Sequence, residues 1–71
     1  MARYFVHIRD GDAVFKDEVG RRFSDPEDAK ALAAIVARGL AQDEAWAGYF
    51  VIIVDEHGTE IARVPVKETQ H

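Results

Sequence analysis

The sequence predicts an α+β domain in which an antiparallel sheet of four or five strands packs on one helix, in the order β-β-(β)-α-β-β. Three observations carry that expectation. Two stretches rich in β-branched and aromatic residues, 3–17 and 49–66, each contain a glycine-bearing turn, Asp10-Gly11 and Glu56-His57-Gly58. Between them lies an alanine-rich stretch whose apolar residues recur at helical spacing. That stretch is headed by Ser24-Asp25-Pro26-Glu27-Asp28, a helix-start signature.

Arg3 to Arg9 reads as the first strand. Asp10-Gly11 is expected to form a two-residue type I′ loop, with positive φ at both positions. That register sets Ile8 opposite Ala13, Val6 opposite Phe15 and Tyr4 opposite Asp17 in a second strand over 12–17. Tyr4, Val6, Ile8, Ala13 and Phe15 then share the core face, which a one-residue slip would invert. Val19-Gly20 turns the chain into a short extended piece ending at Phe23, the optional third strand.

The helix is expected from Pro26 to about Asp43. Asp25 caps it, with Pro26 in the first turn where a missing N–H costs nothing. Ser24 with Glu27 is an alternative capping box. Ala29, Leu32, Ala33, Val36 and Leu40 form the apolar stripe, and the other alanines supply helix propensity. Tyr49 to Asp55 is apolar on both sides, as a central strand would be. A three-residue loop, Glu56-His57-Gly58, pairs Asp55 with Thr59. An unbroken ladder from there gathers Phe50, Ile52, Val54, Ala62, Val64 and Val66 on the core face. Pro65 belongs on an edge. Lys67 to His71 reads as a frayed tail.

The 71 residues allow one domain, spanning 1–71. A chain this short buries only roughly 60% of its unfolded surface. With no cysteine to supply a disulfide or a thiolate metal site, self-association is the expected supplement. The net charge of −4 argues against a general nucleic-acid binder. Met1 to Ile8 lacks the apolar core of a signal peptide, and the longest apolar run, Tyr49 to Val54, is far short of a membrane span. A cytoplasmic location follows as the expectation.

On these registers the second sheet face carries Phe5, His7, Arg9, Val14 and Lys16 from one hairpin and Tyr49, Val51, Ile53, Ile61 and Arg63 from the other. Apolar side chains at adjacent sheet positions mark an interaction surface. Phe5, His7, Arg9, Lys16, Val51, Ile53, Ile61 and Arg63 are therefore the candidate binding residues. The leading expectation is a non-enzymatic interaction domain that forms a homodimer, or meets another protein, through this face. Binding of an anion or single-stranded RNA by its basic and aromatic residues is the alternative. A monomer results if the tail, Trp46 or Tyr49 folds over the patch. Arg9 could instead be tied up in an ion pair with Asp12 or Asp17. The histidines, His7, His57 and His71, match no metal-ligand spacing. Asp25, Glu27 and Asp28 are accounted for by the helix dipole. With no nucleophile elbow or phosphate loop, neither a catalytic residue nor a cofactor is implied.

Arg3-Tyr4-Phe5-Val6-His7-Ile8-Arg9-Asp10-Gly11 resembles the opening signature, Arg-Tyr-Phe-x-His-x-Arg-Asp-Gly, of a family of short alphaproteobacterial proteins of unknown function. The resemblance runs on through Asp17, Gly20, Phe23 and Asp25, the alanine-rich helix, Asp55-Glu56-x-Gly58, and Ile61 to Val66. It implies a small standalone domain and brings no activity with it. The element order is also similar to antitoxin domains of the HicB type. The proline–aspartate and glycine stretch that precedes their helix is absent here in that form. That likeness implies a protein partner by analogy of fold alone.

Overall fold

The computed structural model describes residues 2–67. Strands β1 (Ala2–Asp10), β2 (Ala13–Phe15) and β3 (Arg21–Phe23) precede helix α1 (Pro26–Leu40), and β4 (Phe50–Asp55) and β5 (Glu60–Pro65) follow it. The sheet is antiparallel throughout, in the order β2-β1-β4-β5, with β3 also on β1. β3 pairs with residues 2–4 of β1 and β2 with residues 8–10, so the two short strands lie end to end along one side of it. The α+β class and the single helix are as the sequence predicts, with the optional strand present. The tail expected past Lys67, including His71, lies outside the described residues.

The first hairpin loop is Gly11-Asp12, one residue later than expected, because Asp10 pairs with Ala13 and Ile8 with Phe15. A type I′ loop would force Asp10 into the left-handed region. Here Gly11 alone takes positive φ, at 54°, the pattern of a II′ turn with glycine first. The register moves by two residues, so every side chain keeps its predicted face.

Asp25 caps α1 in extended conformation and accepts the Glu27 N–H at 2.9 Å, ahead of Pro26. Ala29, Ala33 and Ala37 form the buried ridge against the sheet, with Val36 and Leu40 half-buried beside it. Methyl side chains let helix and sheet approach closely. Ala37 is thus a core residue and more than a helix former. The helix stops at Leu40, before Asp43, because Asp43 is extended and caps a 3₁₀ turn over Glu44–Trp46, accepting the Ala45 N–H at 3.0 Å.

The three-residue loop 56–58 is present, with Asp55 N–H donating to Thr59 O at 3.0 Å and Gly58 at φ 85°. The ladder beyond it is not continuous. Val54 pairs with Glu60 but Ile53 pairs with Ala62, leaving Ile61 as an extra residue in a β-bulge. The bulge changes the phase of β5 relative to β4. Ala62 and Val64 therefore face the helix beside Ile53 and Val51, while Phe50, Ile52 and Val54 turn away. Val51 and Ile53 are 0% exposed, which overturns their placement on the open face. Complete burial of each contributes roughly 1.5–3 kcal/mol. Ile61 is half-buried against the same helix-side core. β4 is central and Pro65 lies on the outer strand, both as predicted.

Candidate functional site

The open sheet face is set by the pairing of β1 with β4. His7 sits opposite Ile52, Phe5 opposite Val54 and Arg9 opposite Phe50. β2 adds Val14 beside Arg9, and β5 adds Arg63 beside Ile52. Ile52 is only 4% exposed yet lies outside the helix-side core. Its cover comes from neighbours on the open face. The Arg63 guanidinium lies 5.5 Å from the Phe50 ring centroid, a cation–π contact.

A depression of about 320 Å³ is lined by His7, Arg9, Val14, Lys16, Ile52, Val54, Gly58 and Glu60. A second, of about 350 Å³, shares His7, Lys16, Val54 and Gly58 with it and adds Phe5, Asp17, Glu18, Asp55 and Glu56. Together they make one trough with an apolar floor, basic at the Arg9 end and acidic at the Glu56 end. Glu60 is neutralised by a bidentate pair with Arg63, with Nε–Oε2 and Nη2–Oε1 distances of 3.0 Å. That pair holds the Glu60 carboxyl below the usual range. Among the described residues Arg9 and Lys16 make no ion pair, so the pairing of Arg9 with Asp12 or Asp17 is not formed.

The loop 16–20 that joins β2 to β3 forms one wall. Among the described residues, 5–7 of β1 have no strand partner on that side, and the Asp17 side chain takes its place. Asp17 Oδ2 accepts the Val6 N–H at 3.2 Å, and Oδ1 accepts those of Val19 and Gly20 at 3.1 and 3.0 Å. Burial pushes the Asp17 pKa up, but the N–H donors of Gly20, Val6 and Val19, with a smaller effect of His7, outweigh it and hold the carboxyl below its ordinary value. The Asp17 N–H donates in turn to His7 Nδ1 at 3.1 Å. Burial, aided by Lys16 and Arg9 and opposed by Asp17, lowers the His7 pKa. The imidazole is therefore neutral at pH 7, with its proton on Nε2.

Two further contacts fix the loop. Arg3 Nη1 donates to Val19 O at 2.7 Å. Gly20, at φ 76°, lies so close to the Phe5 ring that a Cβ would meet Cε2 at 2.7 Å. Phe5 and His7 are themselves stacked, with ring centroids 6.4 Å apart.

Of the predicted site residues, the structure brings Phe5, His7, Arg9, Lys16 and Arg63 to one face. Val51, Ile53 and Ile61 belong to the other. Tyr49 meets Trp46 edge-on, with ring centroids 5.0 Å apart, and Trp46 meets Phe15 edge-on at 5.5 Å, against the helix-side core. Neither Trp46 nor Tyr49 covers the open face. Sequence reasoning missed Phe50, Ile52, Val54, Glu60 and the organising role of Asp17. For Asp17 a signal was present, because an aspartate two and three residues before Val19-Gly20 suits an Asx-type turn.

No match was found among curated proteins or solved structures. A family described as a domain of unknown function, DUF6894, matches residues 3–67, which include every residue of the trough. The match spans nearly the whole chain, and the chain belongs to the DUF6894 family.

Proposed function

We propose that the domain is a non-enzymatic binding module whose trough takes an anionic group, a carboxylate or phosphate attached to an apolar body. The observation that carries this is that Arg9 and Lys16, which make no ion pair among the described residues, lie beside the His7 imidazole over an apolar floor of Ile52 and Val54. With Nδ1 occupied by the Asp17 N–H, the neutral His7 has only its Nε2–H to offer, a donor. At the basic end Arg9, Lys16 and His7 thus all present donors, and the carboxylate there, Glu60, is already taken up by Arg63. That end has no imidazole lone pair free to act as a base. An apolar floor strengthens each charge-assisted contact relative to open water. Two or three such contacts in a half-exposed site correspond to a Kd of about 1 mM or somewhat tighter.

The test is a two-dimensional NMR titration with benzoate, inorganic phosphate and a short oligouridylate. Benzoate should shift the amides of His7, Arg9 and Lys16 at low salt and less at high salt. The double substitution Arg9→Ser, Lys16→Ser should abolish the response. Absence of shifts at several times the expected Kd for all three probes would sink the proposal.

A second reading, isologous self-association, is favoured by the trough's two unlike ends. A two-fold axis through its centre would set Arg9 and Lys16 of each copy against Glu18 and Glu56 of the other. Light scattering should then give a mass near twice 8.0 kDa that falls at high salt.

A further inference from the structure

We propose that His7 is a positioning residue joining the trough to the 16–20 loop: the loop stays latched while the imidazole Nδ1 accepts the Asp17 N–H, and proton uptake at Nδ1 releases it. This rests on reading the trough as an anion site, and it adds a means of regulating that site.

The loop has three side-chain anchors: the Asp17 carboxylate on Val6, Val19 and Gly20, Arg3 on Val19 O, and His7 on the Asp17 N–H. The His7 anchor is the one whose ordinary titration falls between about pH 5 and about pH 8. Protonation places an N–H on Nδ1 where it faces another N–H, and that bond is lost. Loop release moves Lys16, Asp17 and Glu18 together, and all three line the trough.

The groups facing His7 come from every neighbouring element. β1 itself brings Arg9, the loop brings Lys16, Asp17 and Glu18, the β4–β5 turn brings Asp55 and Glu56, and β5 brings Glu60. β4 faces it with uncharged Ile52 and Val54. Arg9 and Lys16 oppose an imidazolium and Asp17 favours one. An oxyanion lodged against Arg9 and Lys16 cancels the opposition. Anion binding and proton uptake at His7 are therefore linked, each promoting the other by the same factor. In acid the trough gains a positive charge while its loop wall loosens.

The experiment follows the His7 ring nitrogens and the Asp17 amide of the full chain by NMR from about pH 8 to about pH 5, without ligand. The Asp17 amide should titrate with the midpoint of the His7 ring. Its solvent exchange, corrected for pH, should speed up roughly fivefold, the factor carried by one net hydrogen bond. His7→Asn places a non-titrating oxygen near the position of Nδ1 and should leave the Asp17 amide flat over that range. Should His7→Asn fail to fold, the wild-type titration alone decides. An Asp17 amide that ignores the His7 midpoint, or titrates equally in His7→Asn, overturns the latch. Repeating the titration with benzoate should raise the His7 midpoint. Benzoate binding at about pH 7.5 with an untitrating Asp17 amide overturns the latch alone. A titrating latch with no response to benzoate, phosphate or oligouridylate overturns the anion site instead.

Discussion

Gly20 and Gly58 form a matched pair for testing the wall of the trough. Both have positive φ, 76° and 85°, so alanine at either costs about 1–2 kcal/mol for a left-handed side chain. Their surroundings differ. A Cβ on Gly58 meets nothing within 4 Å, whereas on Gly20 it meets Phe5 Cε2 at 2.7 Å and Arg3 Cγ at 2.9 Å. Carbon atoms prefer roughly 3.5–4.0 Å, so the Phe5 ring must retreat by about 1 Å. Overpacking of that kind costs roughly 1–3 kcal/mol. Gly20→Ala should therefore destabilise by about 2–5 kcal/mol and Gly58→Ala by about 1–2 kcal/mol. In thermal unfolding followed by circular dichroism, the excess at Gly20 amounts to roughly 5–20 °C in Tm. In a Phe5→Ala background the excess should shrink to what the Arg3 Cγ contact alone imposes, giving a coupling energy of roughly 1–2 kcal/mol in the double-mutant cycle. Equal losses at the two glycines, or no coupling to Phe5, would refute the proposed contact between ring and loop.

Asp17→Asn removes the charge and turns an amide N–H toward one of the backbone donors it now satisfies, so urea unfolding should show a loss of roughly 1–3 kcal/mol. Acid should weaken the fold in two stages. His7, with its pKa lowered in the folded state, contributes stability that is present above its unfolded pKa and fades below about pH 6.5. Asp17 and Asp55, also lowered on folding, contribute stability that is present above the ordinary carboxylate range and is lost below about pH 4. Asp17→Asn should reduce the second stage to the share of Asp55 in a pH series of denaturant midpoints. Ile53→Ala should cost about 2–5 kcal/mol and Val54→Ala, on the half-buried open face, about 1 kcal/mol or less. The reverse order in urea unfolding would put β4 the other way up.

Local chemistry made most of the elements legible. Asp25-Pro26 specified where the helix begins, and Gly58 specified the second loop. The first hairpin kept its faces despite a misplaced loop, because a shift of two residues preserves side-chain alternation. The β4–β5 assignment failed for a different reason. Val51, Ile52, Ile53 and Val54 are apolar on both sides, so the strand carries no information about which side meets the helix. The choice falls to β5, and an unbroken ladder from Ala62, Val64 and Val66 sets Phe50, Ile52 and Val54 beside them. A bulge at Ile61 has no strong sequence mark, and one extra residue reverses the answer. His7, Arg9 and Lys16 were correctly placed on one face. Their connection to Asp17 was not legible, because it depends on the gap between β2 and β3 that a tertiary pairing leaves open.

The interrupted outer strand has a consequence beyond the trough. An exposed sheet edge is a template on which another chain can add a strand, and long flat edges lead to aggregates. Here one edge is two three-residue segments separated by a five-residue loop. Its middle is occupied by a carboxylate in place of a neighbouring backbone. The opposite edge carries a bulge and a proline. Neither side offers an unbroken row of hydrogen-bonding groups to an incoming strand. Ribbon-like polymerisation is thereby blocked at both margins, and side chains on the faces of the sheet, not its backbone, are left to choose what the domain touches.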